Sequence, residues 1–62
     1  MAAQALAPPG LAVLVADDEK NIRVSLRVCL EAMGCQVVEA ASATGALDAV
    51  ERQPFDVALV DL

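Results

Sequence analysis

The chain alternates between short unbroken apolar runs and stretches where apolar residues return at helical intervals. Residues 11 to 16, Leu-Ala-Val-Leu-Val-Ala, form a continuous apolar run, with Gly10 before it and Asp17, Asp18 and Glu19 after it. Such a run predicts a strand buried on both faces, as in a parallel sheet. Over residues 19 to 33 the period changes. Ile22, Leu26, Cys29, Leu30 and Met33 trace one stripe, while Lys20, Arg23, Arg27 and Glu31 lie mostly off it, which predicts an amphipathic helix. Gly34 supplies the left-handed position that stops that helix. Residues 37 to 40 then read as a second short strand, and Ser42 as the N-cap of a second helix running to about Arg52. That helix is expected to bury Ala46, Leu47 and Val50 and to pair Asp48 with Arg52, while Gly45 weakens it slightly. Pro54 ends the helical region, and residues 55 to 61 form a third strand, expected to have a core like the first. Residues 1 to 10, Ala-rich and closing on Pro8, Pro9 and Gly10, read as a flexible tail.

Strand, helix, strand, helix, strand at this spacing argues for parallel strands joined by right-handed crossovers, an open α/β sheet. Ligands of such sheets bind beyond the carboxyl ends of the strands, where the strand order reverses. The first strand ends at Asp17, Asp18 and Glu19, and the third at Asp61. If these strands are neighbours, with the second strand outside the first, the aspartates crowd one small cleft. Carboxylates so close repel one another unless one is protonated or a cation is bound. Hard oxygen donors suit Mg²⁺, which also neutralises an incoming phosphoryl group, so the site can support phosphoryl transfer through an aspartyl phosphate. Asp61, alone at its strand end, is the candidate nucleophile, and Asp17 with Asp18 the metal side.

Each acid also has a plainer reading. Asp18 can cap the helix that begins near Lys20, Glu19 can be a solvated first-turn acid, and Asp61 can be a turn residue. Capping, however, does not require both strands to end in carboxylates. The turn after the first strand, Asp-Asp-Glu-Lys-Asn, offers bulk and negative charge where a dinucleotide site needs glycines, which excludes that fold variant.

Composition narrows the chemistry further. The 62 residues are 58% apolar, so the chain is built to pack, yet it is about half the length of a typical domain. It has no histidine, which removes His-containing zinc sites, Ser-His-Asp triads and Cys-His pairs. Cys29 and Cys35 read as two reduced, buried thiols, which favours the cytoplasm. No stretch is long enough for a membrane helix, and the N-terminal residues lack the pattern of a signal peptide. Nine acidic against four basic residues and a single aromatic, Phe55, give neither the charge nor the stacking platform of a nucleic-acid binder.

At this point the residues resemble the response-regulator receiver family of two-component signalling. The matching stretches are Val13-Leu14-Val15-Ala16-Asp17-Asp18-Glu19, Leu30-Glu31-Ala32-Met33-Gly34-Cys35, residues 37 to 40 with Ala46-Leu47, and Phe55-Asp56-Val57-Ala58-Leu59-Val60-Asp61-Leu62. Ala16 stands where the family more often has Val, and Cys35 where it often has an aromatic residue. The resemblance implies a flavodoxin-like, doubly wound α/β domain of strand order 2-1-3-4-5. Residues 11 to 62 would supply its first three strands and first two helices. It implies a sensor histidine kinase as phosphodonor, Asp61 as phosphoacceptor and metal ligand, Asp18 as a direct Mg²⁺ ligand, and Asp17 acting mainly through a bound water. The output would be an attached or partner domain, expected to control transcription. The family's carbonyl ligand beyond the phosphoacceptor, its Ser or Thr and its Lys all lie past Leu62, so the 62-residue segment alone is expected to be inactive. Two other readings remain: a phosphatase or phosphotransferase using an aspartyl phosphate, and a receiver-like interaction module that binds no phosphate.

Overall fold

A computed structural model describes residues 10–62; the tail expected over residues 1 to 10 falls almost wholly outside them. The elements run β1 (Ala12–Asp17), α1 (Lys20–Ala32), β2 (Gln36–Ala40), α2 (Ala43–Arg52) and β3 (Val57–Asp61). All three strands are parallel, in the order β2-β1-β3. This is the arrangement expected of the first half of a flavodoxin-like sheet, in which the strand order reverses beside β1.

The two helices cover opposite faces. Val13 and Val15 of β1 pack with Cys35 beneath Leu26 and Leu30 of α1. Leu14 and Ala16, one residue out of phase, pack with Ala40 beneath Ala46 and Ala49 of α2 and beside Phe55. The period-two alternation of a strand thus sends one apolar set into each layer. That is why an unbroken apolar run is needed at β1.

Local signals end the elements. After α1, Gly34 adopts φ 94°. Its N–H donates to the Glu31 carbonyl and the Cys35 N–H to the Leu30 carbonyl, both at 3.0 Å. These bonds form a Schellman motif, and Cys35 packs back near Leu30 as that motif favours. At the start of α2, Ser42 Oγ accepts the Gly45 N–H at 3.1 Å. Arg52 meets Asp48 at 3.2 Å, the expected i,i+4 pair.

Three expectations about burial are corrected. Cys35 is buried but Cys29 is exposed, because it lies on a flank of α1 that the sheet does not cover. Leu47 is 65% exposed and Val50 is exposed too, because α2 rests on β1 and β2 through its alanines and does not pack on β3. The third strand has no core like the first: all five residues of β3 are exposed. Leu47 and Val50, together with Ala58, Val60 and Leu62 of the β3 segment, line an open apolar groove of about 350 Å³.

Candidate functional site

The parallel register brings the predicted acids to one end of the sheet. Asp17 and Asp61 are the last residues of β1 and β3 and are register partners. Adjacent strands lie about 4.8 Å apart, and register partners share a face, so the two residues stand side by side. Their surroundings differ: Asp17 is only 5% exposed, whereas Asp61 is open to solvent.

The loop after β1 is built from its own acids. Asp17 Oδ1 accepts the Glu19 N–H at 2.9 Å, closing a turn of the kind short acidic side chains favour. Glu19 is the N-cap of α1, with its Oε1 accepting the Asn21 N–H at 3.4 Å. The cap suggested for Asp18 therefore falls one residue later. β1 extends through Asp17, and the Asp17 side chain occupies the turn that would otherwise set Asp18 at the helix start. Asp18 is left exposed between the two acids.

Asp17 and Asp61 end neighbouring strands and Asp18 follows Asp17 in the chain, but the three form no cage. Among the described residues, no group of three or more His, Cys, Asp or Glu side chains is gathered closely enough to hold a metal ion. Mg²⁺ does not require such a group, since it binds through one or two carboxylates and keeps several waters. Asp17 and Asp61 supply adjacent hard oxygen donors at the mouth of the sheet, with the exposed Asp18 next in the chain, and that donor set fits a small divalent cation.

A second cluster abuts this loop. Arg23 Nη1 donates to the Asp17 carbonyl at 3.0 Å, and Arg23 Nε donates to Glu39 Oε1 at 2.9 Å. Arg27 donates to the other Glu39 oxygen and lies 3.8 Å from Glu31. The helical stripe places both arginines off the apolar face and says nothing of this contact. The available signal is Glu39 itself, an acid between Val38 and Ala40 inside β2, which needs a cationic partner if it is to be covered.

Residues 13–62 match the family model of the response regulator receiver domain. The chain belongs to that family, whose members are signalling domains of two-component systems. Among curated proteins it is 46% identical over 50 residues to the transcriptional regulatory protein KdpE of Mycobacterium tuberculosis, in both the CDC 1551 / Oshkosh and H37Rv strains. That match covers 81% of this chain and 22% of the relative, so the chain spans about a fifth of the relatives' length. No solved structure matches it. Among the described residues no helix is long and apolar enough to cross a membrane.

Proposed function

We propose that this segment is the N-terminal part of a phosphoacceptor receiver domain, with Asp61 receiving a phosphoryl group from a sensor histidine kinase. The observation that carries the reading is the Asp17–Asp61 register pair at the carboxyl end of a parallel sheet, in a chain of the receiver family. A carboxylate oxygen of Asp61 attacks the phosphorus of the kinase phosphohistidine; the P–N bond breaks and an aspartyl phosphate forms. The exposure of Asp61 supports this role, because the nucleophile has to meet a macromolecular donor. Asp17, Asp18 and Asp61 would hold Mg²⁺, which when bound offsets the charge of the phosphoryl group. The buried Asp17 holds the β1–α1 turn in shape, while Asp18 and Asp61 remain accessible.

Phosphorylation then shifts a two-state equilibrium of the domain and controls an attached or partner output domain. The resemblance to a transcriptional regulatory protein supports transcription as that output and the cytoplasm as the setting. The receiver reading also accounts for the Asp17-Asp18 pair, which an aspartyl-phosphate phosphatase leaves unexplained.

The test is labelling of the full-length protein by a small phosphodonor with Mg²⁺. We expect stable incorporation that is lost in Asp61→Asn. Labelling that persists in Asp61→Asn overturns the assignment of Asp61, and no labelling of the wild type favours the interaction module.

A further inference from the structure

Arg23 reaches the acidic loop from the first turn of α1 and touches its backbone, not its carboxylates. Its Nη1 donates to the Asp17 carbonyl, the oxygen of the peptide that joins Asp17 to Asp18. The same guanidinium is held from its other side by Glu39 of β2, and these two side chains are 15% and 20% exposed. An exposed ion pair contributes little. Here the planar fork of arginine ties a backbone carbonyl to a carboxylate on a neighbouring strand, and two donors at fixed angles set an orientation that one flexible ammonium cannot.

The 17–18 peptide determines the direction in which Asp18 leaves β1. Asp17 is fixed by burial and by its bond to the Glu19 N–H, but Asp18 is exposed and has no packing of its own to orient it. The Arg23 bond supplies that missing restraint. Glu39 is in turn held at its other oxygen by Arg27, so the acceptor that orients Arg23 is itself fixed from a second side.

We propose that Arg23 is a positioning residue for the acid pair, holding the Asp17 carbonyl so that Asp18 is presented to a divalent cation, with Glu39 orienting Arg23 for this task. The inference rests on the reading of Asp17, Asp18 and Asp61 as a cation site. Its electrostatic and its positioning consequences have opposite signs. Removing a positive charge beside three carboxylates tightens cation binding by Coulomb's law. Releasing a residue that orients a ligand weakens it, by about tenfold or more for supporting contacts of this kind.

The experiment measures Mn²⁺ binding to the full-length protein by electron paramagnetic resonance of free and bound ion. Asp18→Asn serves as the reference for loss of the site. Arg23→Gln is expected to bind Mn²⁺ about tenfold more weakly. Arg27→Gln, which removes the same charge and touches Glu39 but not Asp17, is expected to bind at least as tightly as the wild type. Arg23→Lys keeps the charge but lacks the planar fork that fixes both acceptors in one orientation, and is expected to fall between Arg23→Gln and the wild type. Unchanged or tighter binding in Arg23→Gln overturns the proposal. If Arg23→Gln does not fold, Arg23→Lys carries the test alone: it keeps the charge, so weaker binding supports the positioning role, and unchanged binding overturns it. A wild type without saturable, Asp18-dependent binding overturns the cation site itself and the proposal with it, and this outcome is seen before any arginine variant is compared.

Discussion

Residues 13–17 of β1 read Val-Leu-Val-Ala-Asp, and β3 reads Val-Ala-Leu-Val-Asp over 57–61. The two segments contain the same five residues in slightly different order and lie side by side in register. All five are buried in β1 and all five are exposed in β3. β1 has a strand on each side and a helix over each face. β3 has one strand beside it, and among the described residues neither helix packs on it. Burial is therefore set by neighbours, and an apolar run states only that a segment can be covered. The same contrast separates the two acids that close these strands: the covered one holds a turn, and the other is open to solvent.

The largest effect that can break this contrast is in the core. Leu14 is 1% exposed, and Leu14→Ala is expected to cost about 2–5 kcal/mol in urea unfolding. Leu59 lies in register with Val15 but is 39% exposed, and Leu59→Ala is expected to cost about 1 kcal/mol. Equal losses would show that β3 is covered in solution as fully as β1.

Much of this architecture is legible in the sequence, and what is not has a common physical origin. The stop at Gly34 and the cap at Ser42 are local signals, satisfied by bonds to residues a few positions away, so they can be read without knowing the fold. Leu47, Val50 and the residues of β3 are a different case. Their apolar character is plain, but whether a helix or strand arrives to cover them depends on where α2 comes to rest. The site divides in the same way. The acids at the two strand ends and their adjacency follow from alternation and parallel topology. That Glu19 rather than Asp18 caps α1 depends on which side chain first takes the Glu19 N–H. The Arg23 contact depends on a carbonyl, which carries no sequence signature at all.

A middle-sized effect is expected at the foot of the two strands. The Ala12 N–H donates to Asp56 Oδ2 at 2.8 Å, and the Asp56 N–H donates to the Ala12 carbonyl at the same distance. This reciprocal bracket fastens the exposed strand to the buried one before the ladder begins. Asp56→Ala removes its side-chain half and is expected to cost about 1 kcal/mol. Hydrogen exchange should quicken at the amides of β3 while those of β1 stay protected. Uniform quickening would mean that β3 unfolds only together with the rest of the sheet.

The smallest effect is expected at Asp61, and its sign sharpens the contrast with Asp17 most. Without a divalent cation, Asp17→Ala leaves the partly buried Glu19 N–H without its acceptor and is expected to cost about 1–2 kcal/mol. Asp61 is exposed and accepts no side-chain hydrogen bond among the described residues, so Asp61→Ala is expected to change stability by less than about 0.5 kcal/mol. The direction should be toward greater stability at low salt, because the substitution removes a charge lying beside Asp17 in the register. Adding Mg²⁺ should then reverse that sign: a cation held by the folded state stabilises the wild type by mass action, and Asp61→Ala forfeits part of that gain. Denaturation midpoints of wild type and Asp61→Ala, each with and without Mg²⁺, test both halves. If Asp61→Ala is destabilising without the cation, Asp61 has a structural partner like that of Asp17, and the division into a turn-holding acid and an available one fails.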